Sequence, residues 1–294
     1  MFQGSIVALI TPMTVSGDVD DDALEALVAF HLENGTDAIV AMGTTGESAT
    51  FSHADHRAIV KRIISLVAKK IPVIAGTGSN STEEALALTR AAKDDGADGV
   101  LLVSPYYNKP PQEGLYQHHK LIAEKVAIPQ LLYNVPGRTA VDMLPDTVER
   151  LSSIANIVAI KEATGDLDRA REIMERCGDQ IDVISGDDNT AMELMLAGGK
   201  GNISVTANIV PAQMHAMCKA AMAGDRETAE AINKPLRALH EKLFVEANPI
   251  PVKWLAHKMG YGSNSLRLPL VPLSENYYAV LTKAAEEAGV EFNR

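Results

Sequence analysis

The strongest chemical signal in this chain is Lys161. It closes the run Asn156-Ile157-Val158-Ala159-Ile160, which is continuously apolar after Asn156, and Glu162 follows it directly. Lysine is seldom fully buried, so a core-type strand that ends on one calls for an explanation. An amine at the mouth of an apolar barrel loses hydration and favours its neutral form, which attacks ketones and forms Schiff bases. The alternative is that Lys161 pairs with a carboxylate such as Glu47 or Asp187 and does no chemistry. Other chemically useful groups stand at the ends of comparable runs: Gly43-Thr44-Thr45-Gly46-Glu47, Ser104-Pro105-Tyr106-Tyr107 and Tyr133-Asn134-Val135-Pro136-Gly137-Arg138. The first offers backbone N–H groups and hydroxyls that can hold a carboxylate, and equally fits a tight turn before a helix. The last offers an arginine suited to bidentate carboxylate binding, or only a Pro-Gly turn with a surface cation.

These residues need elements to position them. Eight runs, at 5–10, 38–42, 72–76, 99–104, 129–134, 156–161, 181–186 and 201–205, are near-continuously apolar and rich in Val and Ile. Parallel strands buried on both faces read this way. Between them, Ser52 with Asp55 and Ser81 with Glu84 have helix-capping spacing, Pro145 suits a first helical turn and Gly96 a helix end. Alternating strands and helices predict a parallel sheet, and eight units close a (β/α)8 TIM barrel over residues 1–224. A doubly wound open sheet is the rival, but ALITPMTVSGD after the first run is not a Gly-rich fingerprint. Residues 225–294 lose the strand pattern and read as a C-terminal helical extension packed on the barrel.

In such a barrel the active site lies at the carboxyl ends of the strands, where all these residues fall. Strand alternation predicts that Lys161, Ala159 and Ile157 share the inward face, while Val158 and Ile160 face the helices and Glu162 points away from Lys161. Tyr133 and Leu131 share a face that brings Tyr133 beside Lys161.

Charge and composition narrow the ligands. A formal net charge of -11 argues against nucleic acid or an anionic membrane as partner; an anionic small molecule would need local cations. His53 and His56, and the adjacent His118 and His119, read as solvated or packed helix residues, and no metal site is expected. Cys177 and Cys218 have no paired spacing and read as free thiols in a reducing compartment. The start MFQGSIVALITPM lacks the pattern of a signal peptide, and no stretch approaches the roughly 18 apolar residues of a membrane span. The expectation is a cytoplasmic protein.

The stretches GTTGES, SPYYNKP, YNVPGRT and AIKEATGD, in this order at four strand ends, closely resemble the dihydrodipicolinate synthase family. That family belongs to the pyruvate-dependent class I aldolases, with N-acetylneuraminate lyase, and the resemblance covers the whole chain. It implies condensation of pyruvate with L-aspartate 4-semialdehyde to give 4-hydroxy-tetrahydrodipicolinate, the first committed step of diaminopimelate and lysine biosynthesis. No cofactor is implied beyond the Schiff base. By motif, Lys161 carries the pyruvate, Tyr133 stands over the imine and relays protons, and Thr44 and Tyr107 complete the relay, Tyr107 from a neighbouring subunit. Thr45 with Thr44 holds the pyruvate carboxylate, Arg138 receives that of the aldehyde, and Gly186 and Ile203 line the pyruvate pocket through their backbones.

Sibling lyases acting on N-acetylneuraminate or 2-keto-3-deoxy sugar acids share Lys161, Tyr133 and the GTTGE-type loop. Arg138 after Pro136-Gly137 is the element that favours the synthase. Ser48, Ala49, His53, His56, Asn80, Glu84 and Tyr106 resemble the lysine-binding residues of feedback-inhibited members and imply inhibition by L-lysine. The resemblance also implies a homotetramer built from tight dimers, with lysine at the dimer interface. A metal-dependent hydrolase or class II aldolase would need convergent His and carboxylate ligands at the strand ends, and a non-catalytic effector-binding barrel would use Lys161 only as a counter-ion.

Overall fold

Branched apolar residues make the strands, and their pairing closes the sheet on itself. The computed structural model describes residues 1–292. β1 (Gly4–Ala8), β2 (Ala38–Ala41), β3 (Val73–Gly76), β4 (Gly99–Val103), β5 (Gln130–Asn134), β6 (Ile157–Glu162), β7 (Asp182–Ser185) and β8 (Gly201–Ser204) pair as parallel neighbours in chain order, and β8 returns to β1. The fold is the (β/α)8 barrel that the eight runs predict, with no strand end displaced by more than two residues.

Ile6, Val40, Ile74, Leu101, Leu131, Ala159, Ile184 and Ile203 fill the barrel interior, joined by Phe2 just before β1. Val7, Ile39, Val73, Val100, Leu132, Ile160 and Val183 pack on the other face against the helices. Each such burial contributes about 1.5–3 kcal/mol relative to exposure, so the two faces together fix which side of every strand looks inward.

One strand departs from strict alternation. β5 pairs Gln130 with Ile157 but Leu131 with Ala159, so Val158 is an extra residue on β6. Such a bulge shifts the phase of side chains on the bulged strand. Ile157 therefore packs with the outer cluster and Val158 against the inner one, the reverse of the alternation reading. Beyond the bulge the phase is as expected: Ala159 is interior and Ile160 faces the helices.

The helix starts are local and follow the sequence. Ser52 Oγ accepts from the Asp55 N–H at 3.1 Å and Ser81 Oγ from the Glu84 N–H at 3.4 Å, each satisfying an otherwise unpaired helix-end donor. Pro145 opens the helix Pro145–Ser152, and Gly96, at φ +91°, follows the helix Thr82–Asp94 in a conformation that favours glycine. After the helix Pro211–Met222 come Arg226–Asn233, Arg237–Lys242, Ile250–Lys258 and Tyr278–Glu287. Trp254 stacks on Tyr278 with ring centroids 4.5 Å apart, joining the last two. Among the described residues no helix is long and apolar enough to cross a membrane.

Candidate active site

β5 and β6 end side by side, and their register aligns Tyr133 with Lys161. Both point inward, and the Lys161 Nζ lies 4.3 Å from the centroid of the Tyr133 ring. Lys161 is only 6% exposed, yet among the described residues its amine forms no ion pair. The carboxylates that could have neutralised it are engaged elsewhere. Glu47 pairs with Lys253 at 2.6 Å, and Asp187 accepts from the Thr190 hydroxyl at 2.7 Å. The amine is therefore buried without a counter-ion and open to a ligand.

Behind the sheet the next residues mirror this pair. Asn134 and Glu162 are also in register, and the Asn134 Nδ2 donates to Glu162 Oε2 at 3.1 Å, while Oε1 accepts from the Thr164 N–H at 2.8 Å. Burial raises the Glu162 carboxyl above its ordinary range, opposed by the bonds from Thr164 and Asn134. Glu162 faces away from the amine, as alternation requires.

Lys161 and Tyr133 open onto a cavity of about 720 Å³ at the carboxyl ends of the strands. Thr44 and Thr45 form one wall and Gly186 another. A Cβ on Gly186 would stand 2.8 Å from Lys161 Cε and 2.7 Å from Ala163 Cβ, so glycine is what lets the lysine stem pass. Arg138 stands exposed at the mouth, its Nη2 donating to the Asn248 carbonyl at 3.2 Å. Ile203 is buried in the barrel interior and does not itself line the cavity.

The same cavity reaches Ser48, Ala49, His53, His56, Glu84 and Tyr106. His56 Nε2 bonds to the Gly76 carbonyl at 2.8 Å, which makes that nitrogen the donor, and burial lowers the His56 pKa. Glu84 Oε2 accepts from the Ser79 hydroxyl at 2.8 Å. Asn80 lies outside the lining and presents its carbonyl to Asn108 Nδ2 at 2.8 Å. Tyr107 is 88% exposed at φ +74° and does not reach the cavity of its own chain. Among the described residues no group of three or more His, Cys, Asp or Glu is gathered as a metal site.

Sequence reading missed the contribution of the C-terminal segment. Asn248 Nδ2 donates to Thr45 Oγ1 at 3.0 Å while its carbonyl holds Arg138, so one residue touches both carboxylate-binding candidates. Phe244, Pro249 and Leu270 line the mouth beside it. The one signal available was Lys253, a charge amid the apolar IPVKWLA run, because a helix buried on most sides can carry a cation only if a partner meets it.

The family model of the dihydrodipicolinate synthetase family matches residues 1–288. The 4-hydroxy-tetrahydrodipicolinate synthase of Thioalkalivibrio sulfidiphilus is 61% identical over 293 residues, covering 100% of both chains. A chloride-inhibited dihydrodipicolinate synthase from Acinetobacter baumannii, solved with pyruvate, superposes with a TM-score of 0.98 at 55% identity, over 99% of this chain and 100% of that one. An enzyme of the same kind from Cyanidioschyzon merolae with lysine bound gives a TM-score of 0.94 at 39% identity, over 98% of each chain. On sequence over its whole length and on fold alike, the chain belongs to the dihydrodipicolinate synthetase family.

Proposed function

We propose that this chain condenses pyruvate with L-aspartate 4-semialdehyde to give 4-hydroxy-tetrahydrodipicolinate, through a Schiff base on Lys161. The observation that carries the reading is the Lys161 amine, buried without a counter-ion, under Tyr133, and facing a cavity walled by the Thr44–Thr45 turn. The neutral amine adds to the pyruvate ketone, one proton enters through the Tyr133 phenol, and water leaves, giving a protonated imine. That imine is an electron sink, so the methyl group loses a proton and becomes an enamine. The enamine carbon adds to the aldehyde, the amino group of the second substrate then attacks the imine carbon, and Lys161 leaves as the free amine while the ring closes.

Tyr133 and Thr44 move the protons, with Tyr107 supplied by a neighbouring copy. Its exposure here agrees with service to a second chain. A phenol–hydroxyl chain carries those protons without bulk water. Thr44 and Thr45 receive the pyruvate carboxylate and Arg138 that of the aldehyde, while Gly186 shapes the pyruvate pocket and Ile203 backs it from the barrel interior. No metal or organic cofactor takes part.

The pyruvate complex of the Acinetobacter relative supports the first substrate, and the lysine-bound Cyanidioschyzon relative supports L-lysine as a ligand; we place it as an inhibitor at Ser48, Ala49, His53, His56, Asn80, Glu84 and Tyr106. We further propose a cytoplasmic homotetramer of tight dimers, each chain a barrel over 1–224 with 225–292 packed on it, the last two residues of the 225–294 extension lying outside the described residues.

Borohydride reduction in the presence of pyruvate tests the reading. A covalent mass gain that disappears in Lys161→Ala is expected; absence of any adduct overturns it. A coupled assay with pyruvate and aspartate semialdehyde, run beside N-acetylneuraminate cleavage, separates the synthase from its sibling lyases. Initial rates unaffected by excess lysine at sub-saturating pyruvate would remove the inhibitor from the proposal.

A further inference from the structure

The loop that walls the cavity is held from outside the barrel. Its internal bonds are short-range: Gly46 N–H to the Gly43 carbonyl at 3.1 Å, Glu47 N–H to that of Thr44 at 3.1 Å, Ser48 N–H to that of Gly43 at 3.3 Å. They shape a turn but do not by themselves set how far the turn stands from Lys161. Glu47 also adopts φ +60°, a left-handed conformation that L side chains avoid unless their surroundings impose it.

What imposes it is the far end of the chain. The Glu47 carboxylate, 0% exposed, takes Lys253 Nζ at 2.6 Å on one oxygen and the Arg267 N–H at 3.0 Å on the other. The Arg267 guanidinium stacks on Phe51, 3.8 Å from the ring centroid, and its Nε donates to the Gly17 carbonyl at 3.1 Å. Five residues before Lys253, Asn248 holds the Thr45 hydroxyl. One segment thus grips two residues of the turn.

Stability alone does not account for the lysine. Its side chain is 1% exposed, and its neighbours Ile250, Val252, Trp254, Leu255 and Ala256 are all buried and apolar. Replacing a buried ion pair by packed apolar residues is often neutral or stabilising. A pair kept in such a place is suited to fixing geometry instead.

We propose that Lys253 is a positioning residue: through Glu47 it holds the Thr44–Thr45 turn at the distance from Lys161 that receives the substrate carboxylate, and so sets the affinity for pyruvate. This rests on the aldolase reading above. Lys253 is absent from the cavity lining, so it acts through the turn and not on substrate.

The test is borohydride trapping by the intact enzyme over a range of pyruvate concentrations, read by mass. Lys253→Met should raise the half-saturating pyruvate concentration roughly tenfold, about the worth of one charge-assisted hydrogen bond, while the adduct still forms fully at saturation. Lys253→Arg, which keeps the charge and can reach the carboxylate, should return it to within about threefold of the parent. A lysine that only stabilised the fold would lower the trappable fraction and leave half-saturation at the parental value; that result overturns the proposal. Should Lys253→Met fail to fold, the double variant Glu47→Gln with Lys253→Met leaves no lone buried charge and is read the same way. Raised half-saturation supports the proposal and a parental value refutes it. Absence of an adduct in the parent enzyme would instead strike the aldolase reading, and this inference with it.

Discussion

Gly186→Ala is the most direct probe of how Lys161 is held. The position has no left-handed φ, so alanine adds no backbone strain, and the whole effect is steric. The new Cβ would lie 2.8 Å from Lys161 Cε, 3.0 Å from its Cγ and 2.7 Å from Ala163 Cβ. Ala163 cannot rotate its methyl away, and its N–H is tied to the Asn134 carbonyl at 3.0 Å. The Gly186 N–H is likewise tied to the Glu162 carbonyl at 2.8 Å. The lysine stem must therefore give by about 0.6 Å at Cε to regain ordinary contact, and the nitrogen beyond it swings further, by roughly 1 Å.

A misplacement of that size costs about 10²-fold in a reaction that depends on attack geometry. The fold should lose about 1–3 kcal/mol from overpacking, toward the high end because the 2.7 Å contact with the Ala163 methyl is relieved only by a backbone shift. The assay is the rate of borohydride-trapped adduct formation at saturating pyruvate, with thermal unfolding in parallel. Gly137→Ala is the matched control, because nothing lies within 4 Å of its added Cβ. A Gly186→Ala enzyme that forms the adduct within about threefold of the parental rate, against the 10²-fold expected, would refute the claim that this glycine makes room for the reactive lysine.

Arg138→Ala should slow condensation with the aldehyde about 10²-fold while imine formation with pyruvate stays within about threefold, because the proposed function gives Arg138 the carboxylate of the second substrate alone. Equal losses in both steps would show that Arg138 is not a dedicated clamp. Acid should destabilise the fold through its buried imidazoles. Burial lowers the His31 pKa to about 3 and the His118 pKa to about 4, from 6.5, and His119 falls well below that value by burial and the neighbouring His118. The unfolded chain then takes up protons first as pH falls, so stability present above about pH 6.5 drains away between there and the folded-state values. At pH 5 each of His31 and His118 costs about 2 kcal/mol by linkage. A melting temperature that stays level from pH 7 to pH 5 would contradict this.

Much of the fold is legible in the sequence because the signals are local. A strand buried between the barrel interior and the helix layer must be largely apolar, and the eight runs are near-continuously so. Ser52 and Ser81 cap helices that begin one residue later, so their partners lie within reach of any local reading. The candidate site residues were legible for a related reason: an inward-facing polar side chain at the carboxyl end of a buried strand opens onto the barrel mouth, whereas Asn134 and Glu162, one position further, turn behind the sheet. Lys161, Tyr133, Thr44, Thr45, Arg138 and Gly186 do meet there. The phase of β6 was not legible, since Val158 becomes an extra residue only through the way β5 pairs with it. Nothing near Glu47 says that its partner stands 206 positions later, which is why Lys161 looked like a candidate for it.

The bulge and the mirrored pair together explain why β6 can carry an unpaired amine at all. A one-residue slip in a strand turns every side chain to the opposite face; here it would aim Glu162 into the cavity and Lys161 into the helix layer. Extra Val158 already consumes one such step low on the strand, so something above it must fix the phase again. Asn134 and Glu162 do this from behind, bonded at 3.1 Å one register pair beyond Tyr133 and Lys161. Asn134 is held in turn by Asp142 at 2.9 Å and by the Met143 N–H at 2.9 Å. The buried carboxylate has only neutral donors in direct contact, an arrangement that is costly as packing and that strand pairing alone does not require. Its cost is intelligible if what it secures is the register that sets an amine under a phenol on the other side of the sheet.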